Sequence, residues 1–387
     1  MKYFFFIFFS INSFAQVLFE GEIKNALTKE NLAGASIYVP NSTYGTFSDI
    51  DGKFSLQLPT NTKEIVISYI GYHTIHTKLD LSDGKNFTKV ILLRENKNQL
   101  KEVVVIKQKQ DKKWFKMYET FKNQFIGNSA IARNAEILNP EDLVFNEEID
   151  SLKSKYKLTA NANKPLLIKN KVTGYIITYD LIQFNFITLG HNQSYTFYLG
   201  YPFFKDITQE EKLKPEKVAK KRLETYLGSS MHFIRALYNN TLYEEGFTVQ
   251  KLSKTINLNH NNPEIINKYN QSLTNKDYQA ARMTLNRENI TLDKSIVPIS
   301  KFTSTENEKK YIYFEDYLNV TYTKVKPDKT YQNSYNNSPF QVSQLKIENE
   351  RVEYFADGNY YNPSNLFFFG YMGWKKVGDM LPFDFQP

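Results

Sequence analysis

The chain of 387 residues carries 49 Lys and Arg against 41 Asp and Glu, a formal net charge of +8, and contains no cysteine. That composition excludes disulfides, thiolate catalysis, Cys-ligated zinc and a lipid anchor attached to a mature N-terminal cysteine. At 41% hydrophobic and 15% aromatic residues there is ample material for packed cores, and the length suits two domains. The positive balance favours anionic lipid headgroups or acidic glycans as neighbours, although the densest basic runs, Lys107 to Lys113 and Lys212 to Arg222, read as solvated surface.

Met1 to Ser10 joins one early lysine to a Phe-rich run too short to span a bilayer, and Ser13-Phe-Ala15 has the small-x-small pattern of a signal-peptidase site. Residues 1–15 are therefore expected to be a signal peptide cut after Ala15, which with Lys2 lost takes the formal charge from +8 to +7.

From Val17 to about Lys107 the period is two. Val17, Phe19, Gly21 and Ile23 share a face, as do Ala35, Ile37 and Val39, and Phe54, Leu56 and Leu58 alternate with Ser55 and Gln57 before Pro59 stops the run. Asp49-Ile-Asp-Gly52 supplies side chains that bond their own backbone and a glycine able to take positive φ, the chemistry of a chain reversal rather than of a calcium loop. With Ile65 to Tyr72, Val90 to Leu93 and Val103 to Ile106 added, the spacing predicts seven or eight short strands and an all-β sandwich over 16–107. Gly34 to Pro59 followed by Ile65-Val-Ile-Ser-Tyr-Ile-Gly-Tyr72 resembles the carboxypeptidase-regulatory-like β-sandwich, a prealbumin-like module. The module accompanies metallocarboxypeptidases without being catalytic and stands at the front of TonB-dependent outer-membrane receptors. The resemblance implies an envelope protein and no reaction. Leu100-Lys-Glu-Val-Val-Val-Ile-Lys107 is similar to a segment that follows the sandwich in those receptors. The repeated amphipathic strands of a transport barrel do not follow it, so it reads as a last sandwich strand plus linker.

At Asp111 the period changes. Trp114, Tyr118, Phe121 and Phe125 recur at helical steps, which sets a linker at 108–111 and an α+β domain over 112–387. Tyr175 to Ile187 and Tyr195 to Tyr201 flank Gly190-His-Asn-Gln and read as a long hairpin. Leu213 to Tyr238 is the longest helical candidate, with Leu223, Leu227, Met231, Ile234 and Tyr238 in one stripe and Gly228 marking a bend or a close approach. Strands are expected at Tyr311 to Thr323, Gln344 to Glu348 and Arg351 to Phe355, with Asn349-Glu350 turning the last pair. Asn257 to Lys276, rich in Asn and Lys, reads as a surface insertion. Ala135-Glu-Ile-Leu-Asn-Pro-Glu141, Gly174-Tyr-Ile-Ile-Thr-Tyr179, Gly228 to Leu237 and Asp379-Met-Leu-Pro382 resemble the companion region of a family of exported bacterial proteins. That resemblance brings an architecture and no catalytic residues.

Motifs for chemistry are sparse. None of the five histidines, His73, His76, His191, His232 and His260, begins the His-x-x-Glu string of a metallocarboxypeptidase, and His73 and His76 point to opposite faces of a probable strand. Serine-nucleophile and phosphate- or dinucleotide-binding motifs are absent from the sequence. No catalytic, cofactor or metal residue is assigned. The best polar constellation is Arg222, His232, Arg235, Glu244 and Glu245, of which His232 and Arg235 sit three apart on the long helix beside its apolar stripe.

The sequence thus points to an exported, non-enzymatic envelope protein, periplasmic or outer-membrane associated and not a lipoprotein. It would bind an envelope protein or glycan, with no nucleic acid, and touch a membrane only through partners. The alternative is an envelope hydrolase of glycans or peptides whose carboxylates meet only in the fold. Mass analysis of the native protein is expected to show a chain that begins at Gln16; a full-length chain recovered from the cytosol contradicts the export reading.

Overall fold

In the computed structural model the described residues are 16–81, 83–96, 108–150, 155–189, 193–256, 288–331, 338–348, 350–361 and 365–387, with isolated positions between 264 and 274. They divide into two compact units, one formed by Met1–Ile126, Asn134–Ala219 and Asp384–Gln386, the other by Gly127–Arg133, Lys220–Phe383 and Pro387. Residues 112–387 are shared between both.

The first unit contains the sandwich. Its strands are β1 (Gln16–Asn25), β2 (Ser36–Tyr38), β3 (Gly45–Phe47), β4 (Lys53–Pro59), β5 (Glu64–Ser68), β6 (Ile75–Lys78) and β7 (Phe87–Leu93). One sheet runs β4-β1-β7 and the other β3-β2-β5-β6. Val17, Phe19, Ile23, Ala35, Ile37, Phe54, Leu56 and Leu58 fill the space between them, as their alternation predicts. Gly21 faces the ring of Phe54, and a Cβ there would come within 2.2 Å of the Lys89 carbonyl oxygen, so only glycine fits. Asp49 accepts from the N–H groups of Asp51 and Lys53 at 2.9 and 2.8 Å, and Gly52 takes φ +72°. This turn carries the chain from one sheet to the other rather than closing a hairpin, because β3 and β4 lie in different sheets. Val103 to Ile106, expected as a further strand, lies outside the described residues.

The same unit holds a six-stranded antiparallel sheet of β8 (Ala135–Ile137), β9 (Leu143–Asp150), β10 (Lys155–Ala162), β11 (Leu166–Asn170), β12 (Tyr175–Leu189) and β13 (Gln193–Asp206). The hairpin expected from the sequence is β12 with β13, paired from Tyr175↔Asp206 to Leu189↔Gln193; its Gly190-His-Asn turn lies outside the described residues. Along its other edge β12 pairs first with β11 and then with β10. Helix α1 (Lys112–Phe125) starts where Asp111 accepts from the N–H of Trp114 at 2.9 Å. It buries Trp114, Met117, Phe121 and Phe125. Met117 replaces Tyr118 in the buried stripe, and Tyr118 stacks half-buried on Trp114. Phe121 meets Phe184 and Phe125 meets Tyr179 and Tyr198 edge-on. The opposite face of the hairpin covers the sandwich, with Phe203 against Tyr38 and a bridge between Ser42 and Phe203. That cover explains why Ile65-Val-Ile67 is apolar on both faces and wholly buried.

Where the first unit gives way to the second, at Ala219 and Lys220, the chain differs from the expected single helix. Leu213 to Tyr238 forms two helices, α2 (Pro215–Tyr226) and α3 (Ser230–Tyr238). Gly228 at φ +78° breaks the run, and Ser229 caps α3 by accepting from the N–H of His232. Two sheets follow: β14 (Phe247–Ile256), β15 (Glu288–Ile296), β18 (Tyr317–Tyr322), β19 (Gln341–Ile347) and β22 (Leu366–Phe369) in the order β15-β14-β18-β19-β22, and β16 (Thr303–Glu306), β17 (Lys309–Ile312), β20 (Val352–Tyr354) and β21 (Tyr360–Tyr361) in the order β16-β17-β20-β21. Two expectations are corrected. Tyr311 to Thr323 is not one strand but parts of β17 and β18, in different sheets, and β19 and β20 do not pair across residues 349 and 350. A short helix α4 (Gly370–Trp374) follows β22. Phe233, Ile234, Leu237, Phe247, Val320 and Leu345 belong to the core between helix α3 and the five-stranded sheet. The insertion expected at Asn257 to Lys276 falls almost wholly outside the described residues.

Phe121 is completely buried among Phe125, Phe145 and Phe184. Phe121→Ala should therefore cost about 3 to 5 kcal/mol of stability, measured by denaturant unfolding, whereas Phe115→Ala on the exposed side of α1 should change stability little.

Candidate functional site

The glycine break sets the geometry of the polar constellation. Gly228 turns its N–H to His232 Nδ1 at 3.1 Å, so that nitrogen accepts and the proton of the neutral ring sits on Nε2. Nε2 in turn faces Glu245 Oε2 at 3.3 Å. The imidazole is packed among Tyr226, Phe247 and Tyr322, with ring centroids 4.6, 4.8 and 5.4 Å away. His232 is only 2% exposed. Burial pulls its pKa down, against the opposing pull of Glu245, while Lys324 and Arg235 lower it further.

Arg235 is spent on backbone. Its Nε donates to the Asp357 carbonyl at 2.9 Å and an Nη to the Phe383 carbonyl at 3.0 Å, and its guanidinium lies 5.4 Å from the Tyr226 ring centre. Burial raises the carboxyl pKa of Asp357, opposed by the Asn359 N–H and by Arg235. Of the expected set, the fold thus brings together His232, Glu245 and Arg235. Arg222 is half-buried on α2 and Glu244 is exposed. Both ring nitrogens of His232 are engaged, so the assembly fastens α3 to the start of β14 and to the segments at 357 and 383.

Sequence reading missed the aromatic and amide groups around this seam. Tyr322 Oη and Gln341 Oε1 are buried without a protein hydrogen-bond partner among the described residues, and the Tyr322 hydroxyl is pushed up to about 12 by burial and by Glu245 and Tyr226. A Cβ on Gly228 would fall 1.9 Å from Gln341 Oε1, so the glycine is needed for contact as well as for its φ. The only advance signal was that glycine inside a helical stripe.

A second feature lies at one end of β14, β18 and β19. There a hollow of about 330 Å³ is lined by Lys254, Phe314, Glu315, Asp316, Tyr317 and Lys346, among others. Lys254 Nζ sits 4.5 Å and Lys346 Nζ 5.8 Å from the Tyr317 ring centre. Asp316, at φ +57°, accepts from Ser253 Oγ at 2.9 Å. In the first unit, Asp180 accepts from Thr74 Oγ1 at 3.3 Å, and His76 stacks on Tyr201 with centroids 4.0 Å apart. Burial raises the Asp180 carboxyl pKa, while Thr74 and His76 oppose the rise. His73 precedes β6 and is exposed. Among the described residues there is no group of three or more His, Asp and Glu placed to hold a metal ion, and His191 and His260 lie outside those residues.

With the fold in place, residues 19–105 match the model of the CarboxypepD_reg-like domain. Over 107 residues, 28% of the chain, the sequence is 36% identical to the TonB-dependent receptor SusC of Bacteroides thetaiotaomicron, and the match spans 10% of that receptor. Among solved structures, the C-terminal domain of the shaft pilin SpaA from Lactobacillus rhamnosus GG is 20% identical, covering 21% of this chain and 98% of that one at a TM-score of 0.16. A putative membrane-associated protein of unknown function from Bacteroides fragilis is 8% identical, covering 92% and 95% at a TM-score of 0.17. These structural overlaps are too slight to carry an inference.

The buried histidine yields a pH prediction. Its folded pKa lies below the unfolded value of about 6.5, so stability is complete above that value and falls as pH drops, because the unfolded chain takes the proton first. His232→Gln, which keeps an amide donor for Glu245, should be less stable at pH 7 yet lose less between pH 7 and 5 than the wild type. Asp357, with its raised pKa, tilts both proteins the other way and cancels in the comparison. Equal pH slopes in urea unfolding would show that His232 is not held neutral.

Proposed function

We propose that the protein is an exported envelope component that acts by binding or assembly, without catalysis, on an envelope protein or a glycan. The match of residues 19–105 to the CarboxypepD_reg-like domain and to part of a TonB-dependent receptor supports the envelope setting. The observation that carries the non-catalytic reading is the commitment of His232 and Arg235: both imidazole nitrogens and the guanidinium are occupied by the fold itself, which speaks against either serving as an acid or base. The outer face of the five-stranded sheet supports a binding role. Its edge strand β15 is exposed from Asn289 to Ile296, with Ile290 and Leu292 51% and 43% accessible, and Phe369 on β22 is 44% accessible. Among the described residues no helix is long and apolar enough to cross a membrane.

The second reading, a hydrolase, has one observation in its favour: Glu315 and Asp316 both line the hollow beside Tyr317. Cell fractionation and turnover assays with the purified mature protein on peptide and oligosaccharide panels separate the two. Envelope recovery with no turnover is expected. Turnover abolished by Glu315→Gln or Asp316→Asn would establish the hydrolase instead, and cytosolic retention would remove the envelope reading.

A further inference from the structure

We propose that the hollow around Tyr317 binds a sugar ring that carries a carboxylate, a uronic acid unit of a polysaccharide. This names a ligand class for the binding role above and rests on it. The floor is an aromatic ring on β18, beside which the registers Leu252↔Tyr317 and Leu318↔Leu345 bring Lys254 from β14 and Lys346 from β19. An aromatic face attracts cations and polarised C–H groups alike, so Tyr317 offers a platform for the C–H face of a pyranose. Lys346 is already shared with Glu348 at 2.9 Å. Lys254 has no ion pair among the described residues, and its ammonium rests over the Tyr317 ring. A carboxylate is a better partner for that ammonium than a neutral ring, and turning toward it would open the aromatic face.

The rim decides between ligand classes. Glu315 and Asp316 accept hydrogen bonds and donate none when ionised. Asp316 is oriented by Ser253 Oγ at 2.9 Å. Such a rim suits the several hydroxyls of a sugar and disfavours an anion with few or none to donate. Lysines over an aromatic floor, with carboxylates at the edge, therefore select one negative charge surrounded by hydroxyl groups. Inorganic phosphate or a run of acidic residues meets the lysines but also meets the rim. A volume of about 330 Å³ lies at the small end of ligand sites, consistent with one or two sugar units.

Calorimetric titration of the full mature protein with oligogalacturonate tests the proposal, with a neutral dextran oligosaccharide, a polyglutamate peptide and inorganic phosphate as parallel arms. Oligogalacturonate alone should bind, more weakly at high salt because the carboxylate–lysine attraction is screened. Tyr317→Ala should weaken binding about tenfold, equivalent to the loss of one good aromatic contact. Tyr317→Phe should retain it, and Lys254→Gln should weaken it several-fold while flattening the salt dependence. Melting curves accompany each variant, and Lys254→Gln, a surface change, keeps the test valid if Tyr317→Ala unfolds. The proposal fails if oligogalacturonate does not bind, if dextran, polyglutamate or phosphate binds equally well, or if neither Tyr317→Ala nor Lys254→Gln alters binding. Any of these results leaves the export and non-catalytic reading standing, whereas turnover of the oligosaccharide would remove the non-catalytic reading and keep the site.

Discussion

The long antiparallel pairing of β12 with β13 is the constraint on which the first unit depends. Because side chains alternate along both strands, the hairpin has two apolar faces. Tyr179, Phe184 and Tyr198 lie on one and receive the aromatic stripe of α1. Phe203 lies on the other, against Tyr38 of the sandwich. A slip of one residue in register would exchange the two faces and bury the wrong set. The one irregularity, between Leu181 and Gln183, comes just after Asp180, the carboxylate that accepts from Thr74 of the sandwich. A bulge at that point bends the strand at the place where a polar group has to be fitted among apolar ones.

The second unit turns on a different economy, the cost of enclosing polar groups. His232 is too deeply buried to carry a proton comfortably even beside Glu245, and Arg235 is tolerated only because carbonyl oxygens at 357 and 383 take its N–H groups. Residues that look like acid–base machinery when read along a helix become, once enclosed, part of the scaffold. The exposed outer face of the five-stranded sheet is the converse. Lys254, Tyr317 and Lys346 remain near water, where an ammonium and an aromatic face can exchange their present contacts for a partner's.

Much of the architecture was legible in advance for a local reason. Period-two alternation at Val17 to Ile23 and Phe54 to Leu58, the Asp49 to Gly52 turn, the switch to helical spacing at Asp111 and the hairpin on either side of Gly190 are encoded over a few residues each, and they emerge where expected. At Gly228 the local pattern carries only part of the outcome. A glycine in an amphipathic stripe suggests a bend, while the full break, with Ser229 as a new cap, depends on Gln341 and Tyr322 arriving from distant strands.

By itself the sequence determined the element types, the sandwich with its inward faces, the absence of cysteine chemistry and the residues from which a polar cluster would be drawn, because each follows from composition or from spacing within one element. Tertiary structure alone decided which strands pair, why Ile65-Val-Ile67 is covered on both sides, and that His232 and Arg235 are enclosed while Tyr317 and its lysines are not. Tyr317, Lys254 and Lys346 are unremarkable at their own positions and become a site only because three antiparallel strands set them side by side. Burial and pairing are properties of neighbours that the chain brings from far away, and no local pattern records them.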